Sequence, residues 1–189
     1  LSAGECRFGY RDSIFKHALR DQLFITAIDL QLHKRAAVQT AYPALAAQLE
    51  TAGVGAPTPR QVFDAVVSIR SSKLPDPATQ PNAGSFFKNP LVPAAIARQL
   101  QGRFPGIPLY PQAGGASKVS AAWMIDQCGW KGQRRGDLGV HPEHALVLVN
   151  YGGGSGAALL SLADDIAASV RDEFGVALEI EPRVYGAAR

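Results

Sequence analysis

The sequence predicts an α+β protein. Helical stripes and alternating apolar stretches both occur along the chain, and they do not follow one another in a strict β–α–β order. Hydrophobic residues make up 47% of the 189 positions against 19% charged, which is the balance of a globular chain with a packed core.

In chain order, "LFITAIDLQL" (23–32) alternates Phe24, Thr26, Ile28, Leu30 and Leu32 with Leu23, Ile25 and Ala27. Both faces are apolar, the pattern of a central strand. After Tyr42-Pro43, an Ala- and Leu-rich stretch near 44–51 predicts a helix. "TPRQVFDAVVSIR" opens with Thr58 as N-cap, Pro59 at the first helical position and Gln61 to close a capping box. Val62, Val66 and Ile69 then fall at helical spacing. This helix is expected to stop before "SSKLPDPATQPNAG", where three prolines in fourteen residues mark a boundary.

Further on, "VPAAIARQLQGRF" predicts a helix ended by "PGIP", and "SKVSAAWMIDQCGW" another, with Gly129 as a left-handed cap. "HALVLVN" (144–150) predicts a strand. "ALLSLADDIAASVRDEF" aligns Leu159, Leu162, Ile166, Val170 and Phe174 on one helical face with Gly175 just beyond. "VALEIE" (176–181) alternates as a last strand.

Bulk properties exclude several function classes. No apolar run approaches the ~20 residues of a membrane span. A net charge of +3, with "KGQRR" (131–135) as the densest basic group, falls short of a nucleic-acid footprint. Cys6 and Cys128 form no metal-type spacing and no disulfide framework, which suits a reducing cytoplasm. The opening "LSAGECRFGY" has neither an initiator Met nor the layout of a signal peptide, so the chain is expected to be part of something longer.

Candidate chemistry starts at "AGSFFKNP" (83–90). Gly84 permits a tight turn, Phe86 and Phe87 can anchor it, and Lys88 and Asn89 offer donors to an anion. The stretch reads either as a rigid mount for a reactive Ser85 or as a well-anchored loop. "NYGGGSGAALL" lacks the Gly-x-Gly-x-x-Gly spacing of a dinucleotide fingerprint and reads as a connector. His17, His33, His141 and His144 are scattered without ligand spacing, so no metal site is expected. A Ser-His-Asp hydrolase lacks its nucleophile elbow, since Ser85 has Gly on one side only. Arg11 and Lys73 read by themselves as solvated surface charges more than as ligand contacts, and Glu181 as an exposed carboxylate at a strand end.

"CRFGYRDSIFK", "KLPDP", "NAGSFFKNP", "SAAWMIDQCGWKG" and "HALVLVN" together resemble, in order, the UDP-N-acetylenolpyruvoylglucosamine reductases. The likeness runs over essentially the whole chain, and "GSFFKNP" with a tyrosine-bearing loop resembles the family's first type. It implies FAD- and NADPH-dependent reduction of UDP-N-acetylglucosamine enolpyruvate to UDP-N-acetylmuramate, a step in cytoplasmic peptidoglycan synthesis and hence in cell-wall growth and division. It also implies that residues 1–76 end an FAD-binding domain of the PCMH type, that 77–175 form an α+β substrate-binding domain, and that 176–189 return to the first.

By the same resemblance Ser85 matches the proton donor, Arg11 the arginine at the substrate carboxylate and Glu181 the acid beside the enolic intermediate. Tyr42, Lys73, Asn89 and His144 match substrate contacts. The spacing from Tyr42 to Lys73 is a few residues longer than the family pattern, and His144 replaces a Gln or Glu. Most of the flavin cradle would lie upstream of residue 1, so the fragment alone is expected to be inactive. The alternative is a non-catalytic UDP-sugar-binding fragment of such an enzyme.

Overall fold

The computed structural model describes residues 1–9, 11–34 and 37–186, without the side chains of Lys73 and Ala113. Contacts group the chain into two compact units, residues 1–39 and 40–189.

The first unit carries little regular structure. A single 3₁₀ turn spans Ile14–Lys16, and an isolated bridge pairs Gly9 with Asp12. The expected strand at 23–32 does not form: these residues belong to no helix or strand. Phe24 is 98% exposed, and Ile28, Leu30 and Leu32 are exposed with it. Alternation encodes two buried faces, but a strand also needs neighbours to take up its backbone groups, and none is supplied within the described residues.

The second unit begins with a helical hairpin, α1 (Pro43–Thr51) packed on α2 (Pro59–Lys73). The Thr58 hydroxyl accepts from the Gln61 amide while the Gln61 side chain accepts from the Thr58 amide, so the capping box is complete. α2 runs through Ser71, Ser72 and Lys73, beyond the expected stop. The prolines act later: Leu74, just before Pro75, is extended with φ −111° and ψ 132°.

Two antiparallel sheets follow. Strands β1 (Asn82–Ser85), β5 (Arg134–Arg135), β6 (Leu138–Val140) and β7 (Val147–Asn150) form one in the order β1-β7-β6-β5. Strands β2 (Leu91–Pro93), β3 (Leu109–Pro111) and β4 (Ala116–Val119) form the other in the order β2-β4-β3. Helices α3 (Ala94–Arg103), α4 (Ala121–Gln127) and α5 (Gly156–Phe174) complete the unit. α5 packs on α4 and β6, and Gly175 caps it at φ 68°.

Two expected elements change here. The helix drawn over "SKVSAAWMIDQCGW" starts only at Ala121, because residues 117–119 are held in β4 by pairing on both sides and Ser120 is the N-cap. The strand expected at 176–181 reduces to one bridge, Phe87 with Ile180. Its only partner is the short stretch after β1, too brief for a ladder.

The core gathers Phe86, Phe87, Met124, Ile125, Leu148 and Ile166, all nearly or fully buried. Gly139 in β6 is part of the close packing beside it. A Cβ there would lie 2.6 Å from the Gln133 carbonyl oxygen and 3.2 Å from the Arg134 Cα, both backbone atoms. Gly139→Ala is therefore expected to destabilise the protein by about 1–3 kcal/mol, read as a lowered Tm.

Cys128, at the end of α4, is half-buried. Burial, and secondarily the Glu173 carboxylate, push its thiol up. In a Cys6→Ser background, alkylation of Cys128 at pH 8 should run several-fold slower than that of free cysteine, with its pH inflection displaced upward. Glu173→Gln should move that inflection part of the way back.

Candidate functional site

The site is built around the pairing of β1 with β7. Asn82 pairs with Val149 and Ser85 with Val147, so three residue steps on β1 face two on β7. The extra residue is a β-bulge, and Gly84 accommodates it at φ 69°. Paired residues of an antiparallel ladder share a face, as do Val147 and Val149 two apart. The bulge therefore brings Asn82 and Ser85 out on one face.

Around the bulge the backbone is tied down. The Asn150 amide donates to the Pro81 carbonyl at 2.9 Å, and the Phe86 amide to the Leu146 carbonyl at 2.7 Å. Phe86 and Phe87 are buried beside each other, ring centroids 5.5 Å apart and edge-on. Ser85 itself is half-buried.

Glu181 reaches the same place from the C-terminal side. Its amide donates to the Phe86 carbonyl at 2.9 Å, and the Lys88 amide donates to the Glu179 carbonyl at 2.9 Å. Ser85 and Glu181 thus sit on adjacent backbones, and the Glu181 side chain is half-buried. Lys88, read from the sequence as a donor for an anion, instead forms an ion pair with Glu179.

Asn89 lies four residues beyond Ser85. Its side-chain oxygen accepts from the Ala121 amide at 2.9 Å, and the Pro90 carbonyl accepts from the Val119 amide at 2.9 Å. The Asn89 amide group is thereby oriented with its NH₂ as the remaining donor pair. His144 closes the turn that leads into β7, its amide bonded to the His141 carbonyl and its carbonyl to the Val147 amide. Its Nδ1 is buried.

The remaining candidates lie on other elements. Tyr42 is the N-cap residue of α1 and is 65% exposed. Lys73 ends α2, with its side chain outside the described residues. Arg11 belongs to the first unit, where it holds a left-handed φ of 56° that a non-Gly residue rarely adopts. Lys16 Nζ donates to the Arg11 carbonyl at 2.6 Å. Next to it, a hydrogen bond from His17, and then one from the Ser13 amide, hold the Asp12 carboxyl below the usual carboxylate range.

One residue was overlooked in the sequence. Asn82 donates from Nδ2 to the carbonyls of Gln80 (2.8 Å) and Pro75 (3.3 Å), and its Oδ1 accepts from the Gly84 amide at 2.9 Å. An Asn two residues before a turn glycine is the signal that could have flagged it.

Two cavities are lined by described residues of the second unit. One, of about 320 Å³, is lined by Cys128, Trp130, Arg134 and Arg135 among others, and a second, of about 420 Å³, by Phe104, Cys128, Glu173 and Phe174. Neither includes Ser85, Asn89 or Glu181.

Residues 76–185 match the family described as UDP-N-acetylenolpyruvoylglucosamine reductase, C-terminal domain. Among similar proteins named UDP-N-acetylenolpyruvoylglucosamine reductase, that of Chromobacterium violaceum is 53% identical over 97% of this chain and 54% of its own length. That of Xylella fastidiosa (strain 9a5c) is 49% identical over 99% of this chain and 53% of its own, and that of Paraburkholderia phymatum 50% over 96% and 53%. The chain spans about half the length of the curated relatives it matches. With more than half its residues matched to that domain and this degree of identity along nearly all of it, the chain belongs to the UDP-N-acetylenolpyruvoylglucosamine reductase family.

Proposed function

We propose that this chain is the substrate-handling part of a cytoplasmic reductase that converts UDP-N-acetylglucosamine enolpyruvate to UDP-N-acetylmuramate for the peptidoglycan wall. The observation that carries the proposal is the fixed mounting of Ser85 on β7 with Glu181 on the neighbouring backbone. In the complete enzyme FAD, reduced by NADPH, supplies the hydride. Residues 1–76 would then close the flavin domain, 77–175 hold the substrate, and 176–189 return to the flavin side.

The part assigned to this chain is proton delivery and grip. Reduction of the enol ether leaves negative charge on the carbon beside the carboxylate. The Ser85 hydroxyl gives its proton to that carbon, and the fixed turn keeps the donor within reach. The Arg11 guanidinium binds the carboxylate as a planar fork. Glu181 is the acidic residue set beside the enolic intermediate. Lys73 and the NH₂ of Asn89 hold the diphosphate and its surroundings, with Tyr42 and His144 as further contacts.

Ser85→Ala in the full-length reductase should leave flavin reduction by NADPH near normal and slow flavin reoxidation by the enolpyruvyl substrate by about 10²–10⁴-fold, the usual span for a general acid. Equal loss of both half-reactions would make Ser85 structural. Lys73→Ala should raise the substrate KM more than it lowers kcat, because the diphosphate is remote from the reacting bond. A fall in kcat alone would remove Lys73 from the binding role.

A further inference from the structure

We propose that Asn82 is the positioning residue for Ser85, and that its one amide also fixes the spacing between Ser85 and the segment following Lys73. The inference rests on the reading of Ser85 as proton donor. Oδ1 of Asn82 accepts from the Gly84 amide at 2.9 Å, which closes a side-chain turn over the bulge. Nδ2 donates to the Gln80 carbonyl at 2.8 Å and to the Pro75 carbonyl at 3.3 Å. Pro75 is two residues past Lys73, so the tether joins the end of α2 to the serine turn.

The bulge gives this contact its leverage. Removing the extra residue from β1 would carry Ser85 to the other face of the sheet, because side chains alternate along a strand. Gly84 tolerates the required φ of 69°, but as glycine it also tolerates many others. A glycine supplies freedom and cannot choose among conformations. The Asn82 Oδ1 bond to the Gly84 amide makes that choice. Asn82 is half-buried, so water is a poor substitute for its three bonds.

The test is a double-mutant cycle in the full-length reductase, following flavin reoxidation by the enolpyruvyl substrate in single turnover. Asn82→Ala should slow it by about 10²-fold, the scale of a misplaced reacting group, with reduction by NADPH within about twofold of wild type. In a Ser85→Ala background Asn82→Ala should add almost nothing, since a positioner has no effect once its target is gone. Asn82→Asp, which keeps the acceptor for Gly84 but sets a second oxygen against the Gln80 and Pro75 carbonyls, should recover only part of the loss. Hydrogen exchange across residues 82–87 should quicken in Asn82→Ala and less so in Asn82→Asp.

Full additivity of the two substitutions, or equal slowing of both half-reactions, would overturn the positioning role. If Ser85→Ala slows reoxidation and Asn82→Ala does not, the positioning inference fails alone. If Ser85→Ala leaves reoxidation intact, the proton-donor reading fails and takes this inference with it. Should Asn82→Ala not fold, the Asp variant alone decides: reoxidation that falls together with the loss of exchange protection supports the positioning role, and lost protection with reoxidation at the wild-type rate removes it.

Discussion

The burial of β7 constrains everything around it. Val147, Leu148 and Val149 are at most 1% exposed, so both faces of the strand are covered and its backbone groups have no access to water. Buried amides and carbonyls must be paired within the protein. β6 takes one edge and β1 the other, which leaves the Ser85 segment no freedom to drift off. A serine on an exposed loop would move on its own; displacing Ser85 means breaking bonds to a strand buried on both faces.

The connector from Ser85 to Leu91 also joins two sheets. It leaves the first sheet at β1 and enters the second at β2, with the Pro90 carbonyl and the Asn89 side chain fastened to residues 119 and 121. The Phe86 and Phe87 rings fill the core beneath it, and the Lys88–Glu179 pair and the Glu181 amide fasten the C-terminal segment to it. Four polar side chains, at 82, 85, 89 and 181, are therefore carried on one backbone seam whose position is fixed from both ends. Rigid scaffolds that present a short functional loop share this arrangement.

Where the sequence was legible, it was because a local signal and a buried stripe agreed. Thr58-Pro59 and Gln61 mark the start of α2, and the run from Leu159 to Phe174 with Gly175 marks α5, whatever surrounds them. β2, β3 and β4 were not legible: they are too short for a period of two to show, and pairing between segments far apart in the chain defines them. At 23–32 the pattern speaks of burial on both faces, which depends on neighbours and not on the segment itself. The site divides the same way. Ser85, Asn89 and Glu181 stood out through motif resemblance, while the part played by Asn82 needed the register with β7, which no local pattern encodes.

A serine hydroxyl is a weak acid, so the proposed use of Ser85 as a proton donor would ask for compensation from its setting. Low mobility is one part, because a donor already held at the reacting carbon avoids the entropy of finding it. Stabilising the charge that precedes transfer is the other, and it calls for donors aimed in advance at the place where charge develops. The seam supplies the first directly through the bulge and its bonds to β7. For the second, fixed backbones bring Glu181 beside Ser85, and the Ala121 amide takes the Asn89 oxygen and so orients its NH₂. Fixing the oxygen of Asn89 is what makes its nitrogen useful: an amide that cannot flip presents two donors and no competing acceptor toward an anion.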